Sequence, residues 1–236
     1  MEPNDQATDS GLEHRLRRAG RRRSIGHIIE VAFLAWLLLA TRGDGRQQPD
    51  PGSPPVERIE ISRAVQPEEN TEDRDTVVSM VRRHRPTADD DWCQTLADAI
   101  YDESIAASVD PLLVASIVAV ESSFQSGVVS TMGAVGLMQL RPFVAAAVAD
   151  RISVEWQGAT TLHEPHINVR LGVEYYRALL DRFDGDPRVA LTAYNHGPTR
   201  VSRWIRAGTY DGSEYATRVL TTYEGARRIT PRSLGG

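Results

Sequence analysis

The sequence predicts an all-α domain of short helices in the second half of the chain. Apolar residues recur there at three- and four-residue spacing in one segment after another, which is the helical period. Pro stands at the start of several of these segments, and it fits the first helical turn because no backbone N–H is needed there. No stretch alternates apolar and polar residues between turn signals, as a half-buried strand would.

The individual helices follow from these signals. In the first helix the apolar face contains Leu96, Ile100 and Ile105, and Asp186 followed by Pro187 marks the start of another. Residues 76–85 are expected to add one or two helical turns ahead of the domain. The predicted helices cover residues 91–109, 111–123, 142–150, 168–183, 187–194, 198–205 and 215–226.

Composition limits the class of protein. The 236 residues leave room for one ordinary domain and an additional segment, and the 41% hydrophobic content suffices for one packed core. The net charge of −5 argues against a nucleic-acid-binding protein. The single cysteine, Cys93, excludes an intramolecular disulfide and a cysteine-based zinc site, and we expect it in the core.

The N-terminal quarter differs from the rest of the chain. Residues 1–23 form a basic tail, and residues 24–41 contain an uninterrupted apolar run over 31–40. That run is short for a membrane span, so residues 24–41 are interpreted as a transmembrane signal-anchor or an export signal. The arginines before it predict that residues 1–23 stay in the cytoplasm and that the later domain lies outside it.

Residues 42–87 are predicted to be a disordered linker. They are rich in Pro, Gly, Gln and acidic residues and poor in aromatic residues, a composition that cannot bury enough apolar surface to fold. The helical domain is therefore expected to occupy residues 88–236.

The segment 110–140 carries the candidate active site. Asp110 is a good N-cap, Pro111 fits the first turn, and the apolar run that follows leads to Glu121. Apolar neighbours and the negative end of the helix dipole should both raise the pKa of Glu121, as a general acid near neutral pH requires. The glycine-containing loop 133–139 would let a substrate approach the backbone closely.

Four sequence blocks stand in order within residues 91–228, and they point to a known family. They read E-S-S-F at 121–124, S-x-x-G-A-x-G-L-M-Q at 130–139, N-x-x-x-G-x-x-Y-Y at 168–176 and A-Y-N-x-G-P at 193–198, followed by Tyr215 and Tyr223. Each block alone is weak, because such short motifs occur by chance. Together they resemble the soluble lytic transglycosylases, relatives of goose-type lysozyme. The resemblance implies a lysozyme-like fold and a catalytic domain at residues 88–236.

The resemblance also implies a reaction with one carboxylate. Most glycosidases use two carboxylates, whereas the four blocks contain only Glu121. In this family a single Glu would cleave the β-1,4 bond between N-acetylmuramic acid and N-acetylglucosamine of peptidoglycan without water. The product would be a 1,6-anhydromuropeptide.

Six further residues are implied as substrate-binding. The Ser130 hydroxyl would hold Glu121 or the acetamido group of the sugar by a hydrogen bond. Gln139 and Asn195 both donate and accept, which suits the recognition of N-acetyl and hydroxyl groups. The remaining three are Met138, Tyr194 and Tyr215.

These three carry apolar or aromatic surface. Met138 would offer a soft apolar wall to a sugar face. Tyr194 and Tyr215 would either stack on sugars or hydrogen-bond to Glu121. A last group is expected to pack or to cap a helix instead of binding substrate: Asn168, Tyr175 and Tyr176.

No cofactor and no metal site are predicted. The histidines of the domain, His163, His166 and His196, lack the spacing and the acidic partner of a metal site. The expected partners are peptidoglycan glycan strands, the cytoplasmic membrane through the N-terminal segment, and envelope or secretion machinery.

Two alternatives remain open from the sequence. The first is a hydrolase of the goose-type lysozyme kind that recruits a second carboxylate. The second is an inactive glycan-binding module of an envelope-spanning complex, although such a module has no need of Glu121. The candidates for a second carboxylate are Asp102, Glu103, Asp150, Glu155 and Glu164.

Overall fold

The structure is a computed structural model that describes residues 71–229, and this region is helical as predicted. Its β pairing consists of isolated bridges that join Val135 to Val129 and to Leu140. Eight α-helices and one short 3-10 helix follow one another: α1 Thr71–His84, α2 Asp90–Ala106, α3 Pro111–Ser122, α4 Pro142–Arg151, the 3-10 helix Ala159–His163, α5 Pro165–Arg182, α6 Pro187–His196, α7 Pro198–Arg206 and α8 Glu214–Ile229.

Aspartate caps and first-turn prolines define where these helices begin. Asp110 Oδ1 accepts from the backbone N of Leu112 at 2.9 Å and of Leu113 at 3.4 Å. Asp186 caps α6 in the same way, and Asp89 caps α2. The predicted caps at Asp110 and Asp186 are confirmed. The helix predicted to begin at residue 168 begins at Pro165 instead, again with proline in the first turn.

Helix α3 lies at the centre of the domain. Each of its first nine residues is buried, and Val114, Ile117 and Val118 have no exposed surface. A helix that is apolar on every face must be surrounded by other elements, and α1, α2 and α8 pack around this one. The core therefore holds firmly the helix that ends at Glu121.

Helix α1 corrects the predicted boundary of the linker. Residues 71–84, assigned to the disordered segment 42–87, form a four-turn helix that packs on α2, α3 and α8. Its apolar face buries Val77, Val78 and Val81, and Arg74 forms ion pairs with two aspartates of α2. The compositional argument failed because the charged residues of α1 all lie outside this narrow apolar stripe. The domain therefore includes residues 71–87.

We expect that removing α1 destabilises the domain. Each fully buried valine contributes about 1.5 kcal/mol or more, so a fragment of residues 88–236 should lose about 5 kcal/mol against residues 69–236. Urea unfolding of the two fragments measures the difference. Equal unfolding midpoints would show that α1 is an accessory and that the domain begins near residue 88.

Several predictions fall on residues that the structure does not describe. The basic tail 1–23, the anchor or export signal 24–41 and most of the linker lie outside residues 71–229. Among the helices within that range, none is both long and apolar enough to cross a membrane.

Candidate active site

Glu121 is the penultimate residue of α3, at a sharp change of chain direction. The next two residues after the helix, Ser123 and Phe124, adopt left-handed backbone conformations with φ of 51° and 58°. Such conformations cost about 1 kcal/mol or more for a non-glycine residue. Full burial of Phe124 offsets this cost, and its ring meets the His84 ring of α1 at 5.2 Å. Glu121 is thereby held at the edge of the core with its side chain only partly exposed.

Burial controls the protonation of Glu121. Removal from water raises the pKa of this carboxyl from 4.5 to about 7, while the Tyr215 hydroxyl and the positive charge of Arg218 act in the opposite direction. The direction agrees with the prediction, with burial as the largest cause. A carboxyl with a pKa near neutrality can give up a proton and take it back within one reaction cycle.

This raised pKa makes the stability of the domain depend on pH. The folded chain binds the Glu121 proton more tightly than the unfolded chain, so the contribution of this group to stability is full below pH 4.5 and is lost as pH rises to about 7. Glu121→Gln should therefore stabilise the fold by about 2–3 kcal/mol at pH 8 and by little at pH 4. Thermal unfolding at both pH values measures this, and an equal effect at both would contradict the raised pKa.

Two stacked tyrosines lie beside Glu121. The rings of Tyr194 and Tyr215 are parallel to within 2°, with centroids 6.5 Å apart. Burial and the negative charge of Glu121 raise the pKa of both hydroxyls well above 10, so both stay protonated. Tyr215 is only 5% exposed, which favours the predicted hydrogen bond to Glu121 over stacking on a sugar.

The two hydroxyls have different environments. Tyr194 donates to the backbone oxygen of Met138 at 2.7 Å, so its hydroxyl proton is used to hold the loop. The Tyr215 hydroxyl is buried and meets no acceptor at normal hydrogen-bond geometry. It is nevertheless close enough to Glu121 to lower the pKa of that carboxyl, which makes Glu121 its natural acceptor.

Hydrogen bonds within the loop before α4 involve Ser130 and Gln139. The Ser130 hydroxyl accepts from the backbone N of Ala134 at 2.9 Å, so in this structure it braces a turn and does not bond to Glu121. Gln139 Nε2 donates to the carbonyls of Val128 and Gly136 at 3.1 and 2.9 Å. Both side chains shape the loop that faces the site, a role that the predicted sugar contacts did not include.

Met138 is not at the surface of the site. Its side chain is fully buried, so the prediction that it forms an apolar wall against a sugar is wrong. The reason is Gly172 of α5, where a Cβ atom would lie 2.2 Å from Met138 Sδ. Because Gly172 has no side chain, the surface of α5 has a space at this residue, and the Met138 side chain fills that space.

Asn168 of α5 holds the same loop in place through its side-chain amide. Its fully buried amide accepts from Met138 N at 2.9 Å and donates to the carbonyls of Val135 and Leu162 at 3.0 and 2.9 Å. The expectation that Asn168 is a packing residue is confirmed. It lies within α5 and is not the residue that caps it. Tyr175 and Tyr176 are also buried, as expected.

An open cleft of about 430 Å³ is lined by residues of α6, α7 and α8. Tyr215 and Arg218, the two groups that lower the pKa of Glu121, both line it. Asn195, exposed in the last turn of α6, lines the cleft together with Tyr215. The volume of the cleft lies within the range of small-ligand sites, about 300–1,000 Å³.

Several residues of this cleft were not found from the sequence. Arg218 lies one helical turn after Tyr215 and could have been found from that spacing. Trp204, which meets His196 edge-on at 5.3 Å, comes from α7. Asp211 comes from the connection between α7 and α8, Glu214 is the first residue of α8, and no motif marks either of them.

Comparison with known proteins agrees with this architecture. A family model described as "Transglycosylase SLT domain" matches residues 98–215, half of the chain. The chain belongs to the transglycosylase SLT domain family. The match includes Glu121, the loop that follows it and Asn195, and it ends at Tyr215.

The alignments with individual relatives cover only part of each relative's length. A transglycosylase of Enterobacteria phage PRD1 is 37% identical over 122 residues, which are 51% of this chain and 40% of that protein. A soluble lytic murein transglycosylase of Salmonella typhimurium is 32% identical over 42% of this chain and 16% of its own length. The chain therefore spans less than half the length of both relatives.

A solved structure supports the lysozyme-like fold of the SLT domain. The 70 kDa soluble lytic transglycosylase of Escherichia coli superposes with a TM-score of 0.54, at 23% sequence identity. The alignment covers 66% of this chain and 29% of the other. At this identity the similarity establishes the fold.

Proposed function

We propose that this chain is a peptidoglycan lytic transglycosylase in which Glu121 acts as the single acid and base. One observation carries the proposal: a carboxyl whose pKa is raised to about 7 lies beside a buried tyrosine hydroxyl and an arginine, and both of these neighbours line a cleft. Family membership supplies the substrate class. The Salmonella typhimurium relative is named a soluble lytic murein transglycosylase, and we propose murein glycan strands as the substrate of this chain.

In the first step Glu121 would act as the acid. Its carboxyl proton passes to the oxygen that bridges N-acetylmuramic acid and N-acetylglucosamine, and the bond from that oxygen to the muramic anomeric carbon breaks. The N-acetylglucosamine side leaves as an alcohol, and positive charge develops at the anomeric carbon. The resulting Glu121 carboxylate is stabilised by the Tyr215 hydroxyl and by Arg218.

In the second step the same carboxylate would act as the base. It takes the proton from the 6-hydroxyl of the muramic sugar, and that oxygen bonds to the anomeric carbon to close a 1,6-anhydro ring. Glu121 ends protonated, so no water is consumed. A pKa near 7 suits both steps, because the group must release and recover one proton at neutral pH.

The hydrolase alternative needs a second carboxylate near Glu121. Of the five candidates from the sequence, Asp102 pairs with Arg74 and Glu103 faces Arg170 of α5, and none of the five lines the cleft. Asp211 and Glu214 do line it. However, the charges that act on Glu121 come from Arg218 and not from these carboxylates, which disfavours the close pairing that a retaining hydrolase uses.

Mass spectrometry of digested peptidoglycan tests the proposal. A lytic transglycosylase leaves anhydromuropeptides, each lighter by one water than the reducing-end product of a hydrolase. Anhydro products from the purified chain would support the proposal. Reducing-end products would favour the hydrolase, and no products would favour the inactive binding module.

Asn195→Ala should weaken catalysis without changing its pH dependence. We propose that the Asn195 amide binds polar groups of the sugar, and leaving those groups unpaired costs about 1–3 kcal/mol. Activity should fall about tenfold to a hundredfold, and the pH profile should keep its shape because Glu121 sets it. Steady-state rates across pH measure both. A shifted profile would mean that Asn195 tunes Glu121 directly, and an unchanged rate would mean that it touches no substrate.

We also propose that residues 24–41 fix the domain at the outer face of the cytoplasmic membrane. The apolar run after an arginine cluster is the support for this placement. Fractionation of cells that produce the full chain or residues 69–236 tests it: only the full chain should sediment with membranes. Equal distribution of the two would contradict the anchor.

A further inference from the structure

A polar cluster around the buried side chain of Tyr223 joins α3 to α8 at the end of α3 opposite to Glu121. Asp110 caps α3 through Oδ1, while its Oδ2 accepts from the Tyr223 hydroxyl at 2.6 Å. Arg227 donates to the same hydroxyl at 2.8 Å, and its guanidinium lies 3.9 Å from Asp110 Oδ2. We call Asp110, Tyr223 and Arg227 the latch. Through it, the first turn of α3 is hydrogen-bonded to the last turns of α8.

The same two helices carry the proposed catalytic groups at their other ends. Glu121 lies near the end of α3, and Tyr215 lies near the start of α8. The two helices are therefore antiparallel. The latch lies about 16 Å along α3 from Glu121. Helix α8 is the most extensive packing partner of α3. The α3 residues between the two ends are mostly apolar, and apolar contact is not directional. Hydrogen bonds at the latch are directional, and they restrict sliding of one helix along the other.

The latch is built for positioning and has no access to substrate. Tyr223 is only 3% exposed, and it does not line the cleft. Burial and the Asp110 charge raise the pKa of its hydroxyl, so Tyr223 remains a donor at all physiological pH values. The buried Tyr176 hydroxyl of α5, which has no hydrogen-bond partner, is close enough to interact electrostatically with Tyr223 and Asp110.

We propose that Asp110, Tyr223 and Arg227 are positioning residues that set the register of α3 against α8 and thereby hold the Tyr215 hydroxyl against Glu121. The consequence for catalysis rests on the proposed function, whereas the positioning itself does not. The groups that face Glu121 are Tyr215 and Arg218 from α8 and Tyr194 from α6. If the register slips, the contact with the Tyr215 hydroxyl should be lost first, because this hydroxyl already lacks an acceptor at normal hydrogen-bond geometry among the described residues.

The pKa of Glu121 tests this proposal without any assay of activity. The free energy of unfolding of the full chain is measured against pH with and without Glu121→Gln, and the midpoint of the difference locates that pKa. Tyr223→Phe removes the latch hydroxyl. Asp110→Asn keeps the helix cap but replaces the acceptor of Tyr223. Both should raise the pKa of Glu121 by about one unit, as Tyr215→Phe should.

The double variant Tyr215→Phe with Tyr223→Phe should shift the pKa no further than Tyr215→Phe alone, since both act through one contact. Ser116→Ala is the matched control, because it removes a buried hydroxyl that bonds within α3 to Leu112 O at 2.7 Å. It should lower stability without moving the pKa. In the enzyme assay, the latch variants should lower kcat about tenfold with KM unchanged.

Three results would overturn the proposal. An unchanged pKa in Tyr223→Phe, with only a lower unfolding temperature, would make the latch purely structural. A lowered pKa would mean that the latch keeps water out. Summed shifts in the double variant would mean that the two tyrosines act independently. If the unmodified chain cleaves no peptidoglycan, the proposed function fails, while the pKa measurements still decide on the latch.

Discussion

Glu121→Gln is expected to abolish cleavage of peptidoglycan while leaving the fold intact. Gln is nearly isosteric with Glu, but it can neither protonate the leaving oxygen nor take the proton of the 6-hydroxyl. General acid–base catalysis contributes about 10²–10⁴-fold to a rate, and both steps here depend on one group. We therefore expect a loss of about 10⁴-fold or more, measured by release of soluble muropeptides.

Glu103→Gln is the matched control for this experiment. Burial also raises the pKa of the Glu103 carboxyl, but this residue lies on α2 and faces Arg170 and His166 instead of the cleft. It should keep nearly full activity. Residual activity within tenfold of the unmodified protein in Glu121→Gln, or an equal loss in Glu103→Gln, would remove the basis for a unique catalytic role of Glu121.

The second large effect is expected from Asn168→Ala. This substitution should destabilise the loop before α4, and it does not remove a group that reacts with substrate. Asn168→Ala leaves the backbone N of Met138 and the carbonyls of Val135 and Leu162 buried without partners. Each unpaired buried group lowers the free energy of unfolding by about 1–3 kcal/mol. Water or movement of the loop should relieve part of this cost. We expect a loss of about 3 kcal/mol in the free energy of unfolding, seen as an unfolding temperature lower by about 6–12 °C.

The activity of Asn168→Ala should fall as well, because Met138 O would lose the position at which it accepts from Tyr194. Thr222→Ala, which removes an exposed hydroxyl that bonds within α8, should change the free energy of unfolding by less than about 0.5 kcal/mol. If Asn168→Ala were as stable as Thr222→Ala, the amide would not be the anchor of the loop.

The helices and Glu121 could be predicted because their signals are local. Apolar spacing, aspartate caps and first-turn prolines are all read within a few residues, and they placed Glu121 at the end of a buried helix. The raised pKa followed from the same apolar neighbours. Only one or two turns of α1 were predicted, and it was left outside the domain, because charged residues dominate its composition, although Thr76, Val77, Met80 and Val81 have helical spacing.

The roles of Ser130, Met138 and Gln139 could not be predicted, because they depend on tertiary contacts. Met138 is buried only because α5 presents a glycine at residue 172. Polar side chains can satisfy either a substrate or the backbone, and sequence does not say which. Ser130 and Gln139 bond to the backbone within the loop of residues 128–140. Asn195, in α6, lines the cleft instead.

The central claim, that one carboxyl performs both steps without water, is tested most directly by digestion of peptidoglycan in water labelled with heavy oxygen. The account predicts anhydromuropeptides that carry no label, because the 6-hydroxyl and not water attacks the anomeric carbon. Label at the reducing end of the products formed by the unmodified chain would contradict it, since it would show that water is the nucleophile.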